Sequence, residues 1–430
     1  MGLVKTMKVY LDSIGCRLNQ SEIEHMAGRF RAAGHEIVGT PGQADLVVVN
    51  TCTVTAKAAA DSRKQIRHAW RAGAKWVVAT GCWATLNPAG AAALPGVERV
   101  VSNEQKENLV AEVLGLPAAE FDLEPLAREP LPGAHQRTRA FIKAQDGCDN
   151  HCTFCITRVA RGPSRSRSLA EVLQDVRAAR QGGANEVVLT GVQLGSWGQD
   201  FDSPRRLADL MEAVLAHTDV PRLRISSLEP WDLDDHFFGL WREERLCRHL
   251  HLPLQSGARS TLRRMARKTT PEEYAGLVAQ ARAVSPQIAI TTDIIAGFPG
   301  ETEADFEESL AFVEKIEFAA GHVFTYSPRE GTPAARCPDQ VDPQRKKARN
   351  AAFRQVLARS ADRYRRQFTG QTMQVLWESC DSLGPDGWRM NGLTDNYLRV
   401  TAAAAQPLWN RFSAVRLERL AGAGLEGVLV

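Results

Sequence analysis

Cys148, Cys152 and Cys155, spaced Cys-x-x-x-Cys-x-x-Cys, are the residues of this chain best placed to do chemistry. One tight loop can aim all three thiols at a single centre. Soft thiolate donors favour zinc or an iron–sulfur cluster over a hard cation. No fourth cysteine stands nearby, whereas a structural zinc site closes with four ligands. Either one coordination position is left open, or this is a zinc loop completed by His151 or by a distant residue.

The elements that come first in the chain supply a second set of thiols. Lys8 to Gly15 reads as a buried strand and ends at Cys16. Asp45 to Asn50 is a continuous apolar strand of the parallel-sheet kind and leads to Cys52. Lys75 to Thr80 is a third and leads to Cys82. Helices are expected between them, from about Ser21 as N-cap to Ala33, and from about Ala56 to Arg71. Parallel strands place their carboxyl ends on one edge, where ligands bind in open α/β sheets. Cys16, Cys52 and Cys82 are therefore expected to converge. A single cysteine would read as a core thiol; three at equivalent positions read as a second three-thiol site.

At 430 residues the chain should hold two or three domains. With 44% hydrophobic and 24% charged residues, it has the composition of an ordinary globular protein. A net charge of +3 means that any nucleic-acid binding must come from local patches. No run approaches the roughly 18 apolar residues of a membrane span, and Met1 to Lys8 has no apolar signal core. A cytoplasmic location is expected. There, nine cysteines are metal ligands more often than disulfides.

The stretch from about Gly115 to Arg137, punctuated by Pro117, Pro125, Pro130 and Pro132, reads as a linker. Strands and helices then alternate. Arg139 to Ala144 leads into the cysteine loop. Strands at Glu186–Thr190, Leu223–Ser227, His249–Leu254, Ile288–Ile295 and His322–Tyr326 follow. Six β–α units in series predict an open, partial barrel of parallel strands, with its chemistry at the carboxyl rim. Gln193, Glu229, Gln255 and the Gly297 turn fall at that rim and form a candidate cofactor cradle. Gly297 to Gly300 lacks the Lys-Ser/Thr of a P-loop, and Gly191 and Gly195 make no dinucleotide fingerprint.

Arg345 to Arg366 holds nine basic residues against the single acid Asp362 and reads as a helix facing phosphates. Arg158, Arg161, Arg165 and Arg167 form a second basic cluster. After Gly370, short strands at Met373–Glu378, Trp388–Asn391, Asn396–Val400 and Ala414–Leu417 predict a small β-barrel, an architecture often used on nucleic acid. Cys247, Cys337 and Cys380 match neither triad and are read as structural or incidental.

These residues resemble the radical S-adenosylmethionine methylthiotransferases. Gly15-Cys16-Arg17-Leu18-Asn19-Gln20-Ser21-Glu22, Asn50-Thr51-Cys52-Thr53-Val54-Thr55 and Gly81-Cys82 look like the family's three N-terminal signatures. Gly147 through Cys155, followed by Ala160-Arg161-Gly162, looks like its radical loop. Ser226 to Pro230, Leu252 to Gly257 and Asp293 to Glu301 resemble further blocks, and the β-rich tail resembles the RNA-binding TRAM domain. The fold expected is α/β: an N-terminal open parallel sheet domain (1–120), a linker (121–137), a central partial (β/α)6 radical-SAM barrel (138–366) and a TRAM-like small β-barrel (367–430).

The resemblance implies two 4Fe–4S clusters. Cys148, Cys152 and Cys155 would hold the radical cluster, whose open iron takes S-adenosylmethionine. Cys16, Cys52 and Cys82 would hold an auxiliary cluster that carries the sulfur. Phe154, Gln193, Ser227, Glu229, Gln255, Asp293 and Gly297 are the expected S-adenosylmethionine contacts. The segment after Asn50 looks most like the branch acting on N6-threonylcarbamoyladenosine beside the anticodon. Many members of that branch carry Ile-Ile-Pro after the third radical cysteine, where this chain has Ile156-Thr157-Arg158. The expected partners are the tRNA anticodon stem-loop, a flavodoxin- or ferredoxin-like electron donor and a sulfur donor, with no membrane. The competing readings are methylthiolation of a ribosomal-protein aspartate or of isopentenyladenosine in tRNA, and, from another class, a non-catalytic zinc RNA-binding protein.

Overall fold

The computed structural model describes residues 6–116, 138–384 and 387–430; the expected linker, 121–137, lies outside them. The first unit is a five-stranded parallel sheet. Its strands are β1 (Lys8–Ser13), β2 (Glu36–Ile37), β3 (Leu46–Thr51), β4 (Trp76–Gly81) and β5 (Val97–Val101), in the order β2-β1-β3-β4-β5. Helices cover both faces, so central β3 is buried along its whole length, which is why its sequence is a run of valines and leucine rather than an alternation.

The first helix spans Arg17–Ala32, one turn earlier than the capping signal at Ser21 suggested. Cys16 takes the N-cap position, and Asn19, Ser21 and Glu22 are buried on the helix's inner face. Ser21, expected as the helix cap, is thus an interior residue of the helix. The second helix, Ala56–Arg71, begins as expected, with the Thr55 hydroxyl capping the Ala58 N–H.

The central unit contains six parallel strands: β6 (Arg139–Lys143), β9 (Glu186–Thr190), β10 (Arg222–Ile225), β11 (His249–His251), β12 (Ala289–Ala296) and β13 (Ala320–Thr325). They form two three-stranded sheets, β6-β9-β10 and β11-β12-β13, joined by single bridges at Leu223–Leu246 and Ser227–His251. No ladder joins β6 to β13 among the described residues, so the barrel is partial, as expected. Two short strands, β7 (Gln145–Asp146) and β8 (Arg165–Ser166), pair antiparallel on either side of the cysteine loop and pinch its ends together. Gly147 makes this closure possible. Its φ is +71°, and a Cβ there would collide with the Pro163 carbonyl.

The last unit is a closed barrel of β14 (Thr372–Gly384), β15 (Gly387–Thr394), β16 (Arg399–Ala404), β17 (Phe412–Ala421) and β18 (Gly424–Leu429), in the order β14-β15-β16-β18-β17. β18 falls outside the strands expected from the sequence, and Asn396–Leu398, expected to open a strand, instead belong to a turn. That turn docks on the amino ends of the central strands. Arg224 donates to the carbonyls of Thr394 and Asp395, Arg248 pairs with the Asp395 carboxylate at 2.5 Å, and Arg139 pairs with Glu378 at 2.6 Å. The C-terminal barrel thus caps the end of the partial barrel opposite the radical loop. No helix among the described residues is long and apolar enough to cross a membrane.

Candidate active site

Cys16, Cys52 and Cys82 follow the carboxyl ends of β1, β3 and β4, and the sheet brings them together. Gly15, at φ +99°, passes so close to Cys52 that a Cβ would collide with its sulfur. All three cysteines line one cavity of about 650 Å³. Side chains from the flanking elements address them: the Cys16 thiol points to Asn19 Oδ1 at 3.7 Å, and Asn103 Nδ2 donates to Cys82 Sγ at 3.7 Å. Burial pushes the Cys52 thiol up to about 11, and the neighbouring Cys16 and Cys82 add to the shift.

The radical-loop thiols are held from the other side. Cys148 meets the Gln193 side-chain oxygen Oε1 at 3.3 Å, Cys155 meets the Thr157 hydroxyl at 3.1 Å, and Arg267 Nη1 donates to Cys152 at 3.7 Å. Burial pushes Cys148 up to about 12, with Cys155, Cys152 and Glu229 reinforcing the rise. His151 is exposed, with its ring against the Arg158 guanidinium at 2.7 Å.

All nine cysteines are free. Among the described residues no three His, Cys, Asp or Glu side chains close to the spacing of a single metal ion. Each triad fits a cluster better, because there every thiolate takes its own iron.

The expected cradle residues divide. Gln193 touches the loop, and its side chain also reaches Asp232, whose carboxyl burial pushes up to about 6. Glu229 pairs with Arg267 at 2.6 Å and stands near Cys152. Ser227 and Asp293 line the 650 Å³ cavity, where Asp293 pairs with His251 at 3.3 Å. Phe154 packs edge-on against Phe298. Gln255 acts through its backbone: in the left-handed region (φ +71°) it bonds to Asp293 and Ile295. The Gly297 N–H is taken up by Glu301 at 2.6 Å, and the glycine packs against Lys346.

Arg267 carried no sequence signal. It is buried, stacks over Trp231 at 4.5 Å and finds its carboxylate 38 positions away. Tyr397, at the tip of the C-terminal barrel's turn, was also missed. It lines the cavity, stacks on His249 at 4.3 Å and accepts a hydrogen bond from Arg17 at 2.9 Å.

Both basic clusters are divided between the interior and the surface. Arg161 is buried between Glu22 and Asp146, and Arg167 pairs with Asp175 at 2.5 Å. On the long helix Pro343–Arg366, Lys346 and Arg349 are buried, while Arg359 and Arg363 pair with Glu314 and Glu317. Arg345, Lys347, Arg354 and Arg366 remain exposed, with no carboxylate partner among the described residues.

Residues 142–313 match the radical SAM superfamily and residues 8–102 match the uncharacterized protein family UPF0004. The chain is 34% identical to the threonylcarbamoyladenosine tRNA methylthiotransferase MtaB of Bacillus subtilis (strain 168), over 95% of this chain and 93% of the relative. It is 36% identical to the MtaB of Thermotoga maritima, over 87% of each chain. Among solved structures, the radical S-adenosylmethionine methyltransferase TsrM of Kitasatospora setae shares the fold. Its TM-score is 0.56 at 16% identity, covering 77% of each chain.

Proposed function

Because the chain belongs to the radical S-adenosylmethionine tRNA methylthiotransferase family, we propose that it installs a methylthio group on carbon 2 of N6-threonylcarbamoyladenosine, beside the anticodon of tRNA. The observation that carries this reading is the cavity in which Cys16, Cys52 and Cys82 face the mouth of the partial barrel. Cys148, Cys152 and Cys155 would hold one 4Fe–4S cluster and Cys16, Cys52 and Cys82 the other. When bound, the clusters and two S-adenosylmethionine molecules supply the methyl group, the sulfur and the radical that activates the carbon–hydrogen bond.

The protein's own contribution is placement. β7 and β8 clamp the radical loop, and Arg267 brings a fixed positive charge to its Cys152 side. Gln193 and Glu229, just past strand ends, and Asp293, within β12 on the cavity wall, would meet the amino, carboxylate and ribose groups of S-adenosylmethionine. The cavity admits an unstacked base, as enzymes that read single-stranded RNA require. The exposed Arg345, Lys347 and Arg354 and the C-terminal barrel would meet the stem-loop backbone. A flavodoxin- or ferredoxin-like electron donor, a sulfur donor and a cytoplasmic setting complete the reading.

The test is mass analysis of tRNA nucleosides from a strain lacking the protein and any paralogue. The methylthio derivative of threonylcarbamoyladenosine should vanish while its precursor accumulates. Persistence at normal levels overturns the substrate assignment.

A further inference from the structure

The proposed substrate ends in a group most modified bases lack, the carboxylate of its threonyl arm. Resting on that substrate reading, we propose that Arg17 is the specificity-determining residue that binds this carboxylate.

Three guanidinium groups converge on Tyr397. Arg17 Nη2 donates to the phenol oxygen at 2.9 Å, the Arg224 guanidinium lies 5.1 Å from the ring, and Arg139 adds its charge. Two of the three carry their own counter-ion: Arg224 pairs with Glu186 at 2.6 Å and Arg139 with Glu378 at 2.6 Å. Arg17 has no carboxylate partner among the described residues, and it is the one of the three that lines the cavity. The only other arginine in the lining, Arg161, is spent on Glu22 and Asp146. Of the lining histidines, burial holds His249 well below its ordinary pKa and His251 faces Asp293.

A desolvated arginine without a counter-ion gains strongly from an incoming anion, and its fork suits a carboxylate bidentately. Tyr397 occupies one edge of that fork and orients the rest. Arg17 also directly follows Cys16. On adenine, the N6 arm and carbon 2 flank N1, so a residue gripping the arm belongs beside the thiols that work at carbon 2. A base with a purely apolar N6 substituent would leave Arg17 unpaired.

Binding to the cluster-loaded full-length protein tests this, using labelled anticodon stem-loops bearing threonylcarbamoyladenosine or its threonyl methyl ester. Wild type should prefer the acid. Arg17→Gln should lose roughly 10- to 100-fold in affinity for the acid RNA, the range of one charge-assisted hydrogen bond, and leave the ester RNA unchanged. Arg17→Lys keeps the charge without the fork and should show an intermediate preference. Equal weakening of both RNAs by Arg17→Gln, or an acid preference that persists in both variants, overturns the role of Arg17. Failure of the substrate reading looks different: wild type would then methylthiolate isopentenyladenosine RNA and leave threonylcarbamoyladenosine RNA untouched. Iron content matched to wild type excludes cluster loss as the cause.

Discussion

Arg161, in the helix after the radical loop, and Glu22, in the first helix, form an ion pair of 2.9 Å with both side chains only 2% exposed. Lys106 binds the same carboxylate at 2.9 Å, and Arg161 also reaches Asn19 Oδ1 at 2.7 Å. Asn19 in turn meets Cys16. The pair therefore welds the thiol-bearing sheet to the radical loop. Removing one member leaves buried charge uncompensated, at a cost of about 3–5 kcal/mol. Glu22→Gln and Arg161→Met should lower the urea midpoint of unfolding and expose the 6–116 unit to limited proteolysis. Unchanged midpoints would refute the weld.

Acid should act on the same pair. Burial alone would raise the Glu22 pKa, but Arg161, Lys106 and Lys143 outweigh it and hold the carboxyl well below the ordinary glutamate value of 4.5. A depressed folded value gives stabilisation that is complete above pH 4.5 and lost as pH falls below it. The stability of the cluster-free protein should drop over that range, and Glu22→Gln should flatten the drop. Equal pH slopes in the two proteins would assign the acid sensitivity elsewhere.

Cys52→Ala separates the two thiol sets. Iron should fall from about eight to about four per chain. Methylthio transfer should vanish, while reductive formation of 5′-deoxyadenosine stays within a few-fold of wild type. Loss of both activities would show that the sites are not independent.

Glu229 has two possible duties, holding Arg267 and meeting S-adenosylmethionine. Glu229→Gln keeps the shape and one acceptor. If it contacts the cofactor, 5′-deoxyadenosine formation should fall roughly 10- to 100-fold with iron content unchanged. Wild-type cleavage by this variant would restrict Glu229 to supporting Arg267.

The long helix offers an internal control on RNA binding. Lys347→Ala with Arg354→Ala should weaken stem-loop binding evenly across sequences and reduce the slope of log affinity against log salt by about two. Arg349→Ala should leave that slope alone and lower stability instead, because Arg349 is buried against Glu301 and Glu303.

The sequence was most legible where a local rule acts on neighbouring residues. Valine-rich β3 announced a buried parallel strand, and a cysteine after each of β1, β3 and β4 announced a shared edge. The cysteine loop carried its chemistry in its spacing. What stayed hidden depends on partners far along the chain. Arg161 and Arg349 read as phosphate ligands because Glu22 and Glu301 lie 139 and 48 positions away. Ser21 had the right residue type for a cap, but Asn19 and Glu22 turn inward and draw the helix start back to Arg17. Tyr397 sat in what read as a strand, and its left-handed conformation, φ +67°, belongs to a turn that only the docked barrel explains.

That docked turn also bears on the order of biosynthesis. All six candidate ligand cysteines lie at or before Cys155, whereas Tyr397, which closes the amino end of the chamber, is translated more than half the chain later. Both thiol sets are therefore synthesised well before the residue that closes the floor of their chamber.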